Sequence, residues 1–340
     1  MDRLRKEVCP FKTLEEKIMR VPILCSVFAF CLAVSVVQET DAQIYRGKVV
    51  QVVIGSPVGS NSDLLGRPIA QKLGEETGGV FLVNNRPGAT GIIANELVAK
   101  AAPDGYTLLI APSSFITSVP HLHLKMPYDS LGDLVPIVQL GASPSVLVSH
   151  PSVPIKTVAD LIRVAKTRPN LLTFGSGGVG DAFHLSSELF KQMGGVEMLH
   201  VPYRGITIAL TDLVGGRIDL LFATYVIIRP LVGKLRIIAV TSLARDPLLP
   251  DIPTIDESGL RGYEMTNWVG MFAQKSIAPV VVEYLNKTIH NILTTPDLRT
   301  MWKNQGVQFK PNTPKEFSII VQNSYTRYGK LIATVGIKPE

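Results

Sequence analysis

The sequence predicts an α/β protein of two lobes, each a mostly parallel β-sheet flanked by helices, with a cleft between the lobes. Three observations support this fold class. Short β-branched runs alternate with stretches of helical periodicity, and turns rich in Gly, Ser or Pro separate them. The 340 residues, 46% of them hydrophobic, suffice for two domains that each have a core. The alternating pattern also begins afresh near Ser145.

The periodicity assigns two sets of elements and a remainder. The first set has strands over 49–54, 80–84 and 107–111 and helices over 63–76 and 92–101. The second has strands over 146–149, 172–175, 198–201, 218–222 and 236–241 and helices over 158–167, 182–193 and 207–214. The remainder is a strand over 265–272 and helices over 280–293, 297–304 and 314–334.

The remaining elements are too few to form a sheet alone, so we predict that they return to the first lobe. Lobe 1 then comprises residues 43–144 and 263–340, and lobe 2 comprises residues 145–262. The chain crosses twice between the lobes, and the two crossings are expected to act as a hinge.

The N-terminal region has the pattern of a secretory signal peptide. An apolar run over 21–37 follows Arg20, and polar and small residues continue to Ala42. We predict a signal peptide over residues 1–42, with cleavage after Ala42, a true start at Met19 and export to the periplasm. A membrane anchor is the alternative, but a run of about 17 residues is at the short limit for a span.

The cysteines and the charge narrow the classes of function further. Cys9, Cys25 and Cys31 all lie in the predicted leader, so the mature chain would have no disulfide, thiolate nucleophile or Cys metal site. The 34 basic and 28 acidic residues give a net charge of +6, which suits attraction of anions. The basic residues form no cluster interleaved with aromatic residues, so no nucleic-acid partner is expected.

Two loops are candidates for ligand binding, because ligands of open α/β sheets lie beyond the carboxyl ends of strands, at helix N-termini. The first loop follows strand 49–54 and offers small, polar and Gly residues that allow an anion to approach the backbone. Its candidate residues are Ser56, Pro57, Val58, Gly59, Ser60, Asn61 and Asp63. The alternative is an ordinary turn in which Asp63 is the N-cap of the next helix.

The second loop follows strand 172–175, and its candidate residues are Ser176, Gly177, Gly178, Val179, Gly180 and Asp181. From Gly175 to Gly180 it matches G-x-G-x-x-G, so an exported α/β enzyme or a nucleotide- or dinucleotide-binding protein is the alternative function. Against that alternative, no acidic residue ends the next strand, and the match does not open the chain. An exported protein also meets little nicotinamide cofactor.

No catalytic, metal or cofactor site is predicted. Ser176 lies between two glycines, but Phe174 takes the place of the outer Gly of a nucleophile elbow. His121 and His123 are the only closely spaced histidines, and a structural role is expected for them. We expect His184 to pack or cap its helix.

In order along the chain, these loops and their flanking motifs resemble the Bug family, the extracytoplasmic solute receptors of tripartite tricarboxylate transporters. The resemblance spans nearly all of residues 43–340. It is carried by these segments: 85–89 (NRPGA), 102–109 (APDGYTLL), 127–129 (PYD), 200–205 (HVPYRG), 209–213 (ALTDL), 233–236 (GKLR), 249–254 (LPDIPT) and 257–259 (ESG).

The resemblance implies a periplasmic-binding-protein-like fold whose lobes close on a carboxylate held by backbone amides and waters. It adds Ser113, Ser114, Tyr203 and Arg204 as further candidate contacts, although Tyr203 and Arg204 have packing and turn roles as an equal alternative. It also implies membrane permease subunits as partners, a monomer and no enzymatic activity.

Departures from the family pattern bear on the ligand. Asp181 and Ala182 replace a Thr-Ser pair at the start of the second-lobe helix, Val179 replaces an Asn, and Ala223 and Thr224 replace an Asp-Asn pair. The Asp181 side chain has two options: it caps its own helix, or it points into the cleft and repels a ligand carboxylate. With either option, we expect a monocarboxylate or an amino-bearing acid to bind better than a di- or tricarboxylate.

Overall fold

The computed structural model describes residues 44–339. The predicted signal peptide and its three cysteines lie outside these residues. Within them, the strands are β1 (Val49–Ile54), β2 (Val80–Asn85), β3 (Thr107–Pro112), β4 (Leu134–Ser149), β5 (Thr173–Ser176), β6 (Leu199–Pro202), β7 (Leu220–Thr224), β8 (Arg236–Val240) and β9 (Thr266–Gln274).

The helices follow most strands, as the alternating pattern predicts. They are α1 (Asn61–Thr77), α2 (Ile92–Ala99), α3 (Ser113–Thr117), α4 (Val158–Thr167), α5 (Ala182–Gly194), α6 (Ile206–Val214), α7 (Tyr225–Ile228), α8 (Pro279–Leu293), α9 (Pro296–Asn304) and α10 (Pro314–Thr334). None of these helices is both long and apolar enough to cross a lipid bilayer.

The strands form one continuous curled sheet in the order β2-β1-β3-β9-β4-β7-β5-β6, with β8 also paired to β4. The outer pairs are parallel, between β1 and its neighbours β2 and β3 and between β5 and its neighbours β6 and β7. The central pairs that involve β4 and β9 are antiparallel. The sheet is therefore mixed, and its antiparallel part lies where the two lobes join.

Strand β4 passes from one lobe into the other without a break. The sequence predicts only its end, residues 146–149, but the strand starts at Leu134. Its first part, to Pro144, pairs with β9, and its last part, from Ser145, pairs with β7 and β8. The part before residue 145 was missed because Gly141 and Pro144 interrupt the apolar alternation on which strand prediction depends.

The core divides between the two halves of this sheet. One half packs against α1, α8 and α9 on one face and against α2, α3 and the start of α10 on the other. The other half packs against α4 and α5 on one face and α6 on the other. Helix α10 contributes Phe317 and Val321 to the first half and Tyr328 and Leu331 to the second. The lobe boundaries at 144/145 and 262/263 stay predictions.

Candidate ligand-binding cleft

The directions of the strands bring the two candidate loops to one cleft. β3 and β4 are both antiparallel to β9, and β1 is parallel to β3. All three strands therefore run toward the junction at Pro144 and Ser145. Beyond the junction, β7 is antiparallel to β4, and β5 and β6 run parallel to β7. The carboxyl ends of β5, β6 and β7 therefore point back at those of β1 and β3, with their loops on opposite sides of the cleft.

The first loop leads from β1 into α1, which begins at Asn61, two residues earlier than predicted. The N-cap is Ser60, so the interpretation of Asp63 as N-cap is wrong. The Ser60 Oγ accepts a hydrogen bond of 3.3 Å from the Asp63 N–H, the usual bond between an N-cap and the third helical residue. The N–H groups of Asn61 and Ser62 lie in the first turn, where no intrahelical acceptor is available.

The Asp63 carboxylate fixes the shape of the first loop. Its Oδ2 accepts from the Gly59 N–H at 3.0 Å, and its Oδ1 accepts from Arg67 at 2.6 Å and from Asn85 at 3.1 Å. Burial raises the pKa of Asp63, but the Gly59 N–H and the Arg67 guanidinium outweigh it, so that the pKa is lowered overall. The carboxylate therefore stays charged, and Arg67 neutralises it. Ser56, Pro57 and Val58 precede this turn, and Val58 is exposed.

The second loop leads from β5 into α5, and Asp181 is the N-cap of that helix. Of the two options that the sequence leaves for its side chain, the structure has the capping one. Oδ1 accepts from the N–H groups of Phe183 at 3.0 Å and His184 at 2.7 Å, and Oδ2 accepts from that of Gly177 at 2.6 Å. Burial raises the pKa of Asp181 to about 6, although these three N–H groups oppose the rise.

Behind this loop, Phe174, His200 and His184 form a stack of rings. The ring centroids of His184 and His200 are 3.9 Å apart, and those of His200 and Phe174 are 4.8 Å apart. His184 Nδ1 accepts from the Gly180 N–H at 2.9 Å. Of the two expected roles, packing or capping, the structure has packing, because Gly180 precedes the N-cap and the ring is buried in the stack. Burial lowers the pKa of His184 to about 3 and that of His200 to about 4, so both imidazoles are neutral near pH 7.

The sequence did not reveal that Ser176 and His200 are in contact, with 2.7 Å between Oγ and Nε2. A serine and a histidine in contact invite comparison with a nucleophile and its base. Ser176 is fully buried, however, and its Oγ also bonds the backbone of Gly178 on both sides, accepting from N–H at 3.2 Å and donating to the carbonyl at 3.0 Å. The contact therefore shapes the loop and leaves no oxygen exposed for attack.

The glycines of the second loop serve close packing. A Cβ on Gly180 would lie 1.7 Å from Leu122 Cδ1, and one on Gly177 would lie 2.6 Å from Asp181 Oδ2. Gly180 also accepts a 2.9 Å hydrogen bond from the hydroxyl of Ser118, just after α3. The loop thus contacts the opposite lobe at Gly180. The G-x-G-x-x-G match does not make an open phosphate cradle here, because Gly175 faces Ile218, Gly177 faces Asp181 and Gly180 faces Leu122.

The other candidates lie at the same strand ends. Ser113 and Ser114 open α3 directly after β3, and both are buried. Tyr203 follows β6 but donates its hydroxyl to Asp212 on α6 at 2.9 Å, so its polar end is occupied. Arg204 is exposed, and no ion pair is found for it among residues 44–339.

The junction itself contains polar residues that were not predicted as contacts. Asn267 of β9 donates to the Ser145 Oγ of β4 at 2.8 Å, and Ser145 pairs with Thr224 of β7. The Asn267 Oδ1 and the Thr224 hydroxyl are buried, and each lacks a hydrogen-bond partner within the described part of the chain. Buried polar atoms are nearly always paired, so these two indicate a partner such as water or ligand. The sequence signal for these two contacts is a polar residue within an otherwise apolar strand, Asn267 in β9 and Thr224 in β7.

No cluster of three or more His, Cys, Asp or Glu that could hold a metal occurs in residues 44–339. His121 instead bonds the Tyr325 carbonyl of α10 through Nε2 at 3.0 Å.

The chain has clear relatives. A family model described as tripartite tricarboxylate transporter family receptor matches residues 65–337. The UPF0065 protein of the tcbD-tcbE intergenic region of Pseudomonas sp. (strain P51) is 36% identical over 298 residues, which are 87% of this chain and 88% of that protein. Protein BugT of Bordetella pertussis is 30% identical over 319 residues, 93% of this chain and 98% of that protein.

Solved structures give the same result. An R. palustris protein with adipate is 34% identical with a TM-score of 0.81, covering 86% of this chain and 99% of that one. MatC from Rhodopseudomonas palustris with bound malate is 27% identical with a TM-score of 0.77, covering 84% and 99%. The periplasmic binding protein BugD is 28% identical with a TM-score of 0.79, covering 87% and 100%. The predicted family and two-lobed fold are thereby confirmed: the chain belongs to the tripartite tricarboxylate transporter receptor family, a family of solute-binding receptors.

Proposed function

We propose that this protein is a non-enzymatic, periplasmic solute receptor that captures a small carboxylate in the cleft and delivers it to membrane permease subunits. The family and the carboxylates bound by solved relatives support this proposal. The observation on this chain that carries it is the cleft itself, where the starts of α1 and α5 face each other across a floor with unpaired buried polar atoms. At the start of α1 the N–H groups of Asn61 and Ser62 have no intrahelical acceptor, so this side of the cleft favours an anion.

Binding of a panel of carboxylates, followed by thermal or chemical unfolding, tests the proposal. A ligand at 100 times its Kd should raise the free energy of unfolding by about 2.7 kcal/mol. NAD and ATP serve as controls for the alternative function. Stabilisation by either nucleotide, with none by any carboxylate, would contradict the proposal.

Two matched variants test whether the cleft floor contacts the ligand. Thr224 and Ser149 both carry a buried hydroxyl without a partner among the described residues, but Ser149 ends β4 at the edge away from the cleft. Removing such a hydroxyl should not lower stability, because it makes no hydrogen bond to another residue of the described chain. Thr224→Val should therefore weaken carboxylate binding without loss of stability, whereas Ser149→Ala should leave binding unchanged.

Export can be tested separately. The intact mass of the protein recovered from the periplasm should correspond to a chain that begins near Gln43, and a thiol-reactive dye should not label it. A labelled protein of the full mass would show that the leader is retained.

A further inference from the structure

The two facing loops each carry a carboxylate, but only one of these carboxylates is neutralised. Asp63 on the first loop pairs with Arg67 at 2.6 Å. Asp181 on the second loop is held by three backbone N–H groups, and no side-chain cation of residues 44–339 is among its partners. The cleft is therefore asymmetric: the carboxylate at the helix start on one side is paired with a cation, and the carboxylate at the helix start on the other side is not.

Asp181 and His184 together occupy four of the backbone N–H donors around the start of α5. The N–H groups of Gly177, Phe183 and His184 are bonded to the Asp181 carboxylate, and the N–H of Gly180 is bonded to the His184 ring. A ligand carboxylate placed here would find these donors occupied and a like charge beside it, which is strongly unfavourable in a partly desolvated site.

The remaining groups on this side are neutral or apolar. Val179, at the tip of the second loop, is 45% exposed. Across the cleft, Val58 at the tip of the first loop is 73% exposed. Thr224 at the end of β7 offers a hydroxyl and no charge. Apolar side chains exposed at both loop tips fit a ligand body that can bury them when the lobes close.

We propose that the ligand is a monocarboxylate whose single carboxylate lies against the α1 side of the cleft and whose apolar end faces Asp181 and Val179. This inference rests on the proposed function and narrows its substrate class. Asp181 then acts as a specificity-determining residue that excludes a second carboxylate.

Arg204 is the group that would work against this specificity, since it is exposed and unpaired in the described chain after β6. A second ligand carboxylate that reached Arg204 would avoid the start of α5. Arg204→Gln therefore belongs in the test, because it would selectively weaken dicarboxylates in that case.

The test is calorimetric titration with pairs of equal chain length, butanoate with succinate and hexanoate with adipate, on the unaltered protein and on Asp181→Ser and Asp181→Asn. Ser is a good N-cap without charge, and Asn keeps the shape of Asp, so one variant covers a folding failure of the other. We expect the monocarboxylate of at least one pair to bind the unaltered protein more tightly than its partner. Asp181→Ser should shift the ratio toward the dicarboxylate by about tenfold.

Asp160→Asn is the matched control, because it also removes a carboxylate from the first turn of a helix. That helix, α4, comes after the end of β4 that lies away from the cleft. It should leave the ratio unchanged. The inference would be overturned if the unaltered protein preferred the dicarboxylate and neither Asp181 variant increased that preference. It would also be overturned if the unaltered protein preferred the dicarboxylate and Arg204→Gln abolished that preference. Either result leaves the receptor function standing, whereas binding of no carboxylate at all would remove the function as well.

Discussion

At the scale of single residues, burial sets the protonation of the groups behind the second loop. The unfolded chain has ordinary pKa values, near 6.5 for His and near 3.9 for Asp. Folding lowers the pKa of His200 to about 4, so its contribution to stability is complete above pH 6.5 and is lost as the pH falls toward 4. Folding raises the pKa of Asp181 to about 6, so the folded state gains stability as the pH falls from 7 toward 4.

These opposite signs give a prediction for pH dependence. His200→Gln should reduce the loss of stability between pH 7 and pH 4.5, by about 2 kcal/mol after allowance for solvent screening. Asp181→Ser should make the same loss larger, because it removes the compensating group. Urea unfolding of the three proteins at both pH values measures the effect. If the unfolding free energy changes equally between the two pH values in all three proteins, neither group has a different pKa in the folded chain.

Gly180 gives a second prediction at this scale. Its φ of +76° opposes a side chain, and so does Leu122, whose Cδ1 would lie 1.7 Å from an added Cβ. Gly180→Ala should cost about 2–3 kcal/mol of unfolding free energy through backbone strain and overpacking. Gly195→Ala is the matched control, since Gly195 has a φ of +58° and no atom within 4 Å of the added Cβ; it should cost only the strain, about 1 kcal/mol. Similar costs for both variants would contradict the contact with Leu122.

At the scale of elements, helix α10 holds the two halves of the sheet together, and its start is well defined. The Thr313 Oγ accepts from the Glu316 N–H at 3.2 Å, while the Glu316 carboxylate accepts from the Thr313 N–H at 2.8 Å, which is a capping box. Thr313→Ala should lower stability by about 1 kcal/mol, and Thr313→Ser, which keeps the oxygen, should not. Urea unfolding distinguishes them, and equal stability of the two variants would contradict a role for the cap.

The same helix shows what the sequence predicts well. Pro314 after a Thr with Glu316 two residues later marks a helix start, and the predicted range 314–334 is the observed one. Most other elements were predicted within two residues, because their apolar periodicity is regular. The pairing of β4 with both β9 and β7 was not predicted, since it depends on contacts far apart in the sequence that a local pattern does not contain. For the same reason Asn267 is not predicted from the sequence, and Thr224 enters only as a departure from the family pattern, whereas the position of the Gly-rich loops after strands predicts them.

At the scale of the whole molecule, two chain segments cross between the halves of the sheet, β4 at Pro144 and Ser145 and the segment that leads from β8 into β9, and helix α10 packs against both halves. The pairing of β4 with β9 shifts register twice, between Pro136 and Val138 and between Gln139 and Gly141, so the strand is bent rather than flat as it reaches the junction. Few residues have to change φ and ψ for lobes joined in this way to rotate against each other.

We therefore predict that ligand binding closes the lobes. A ligand whose carboxylate contacts α1 and whose apolar end contacts Val179 of the second loop has more partners in the closed form, so it shifts the population toward that form. Small-angle scattering at saturating ligand should show a smaller radius of gyration than without ligand. An anion that does not stabilise the protein, at the same ionic strength, is the control for salt effects. Thr224→Val should need a higher ligand concentration to reach the same contraction, because the closed form would lose one of its contacts. A radius of gyration that stays constant when calorimetry shows full occupancy would mean that the ligand binds a cleft that is already closed.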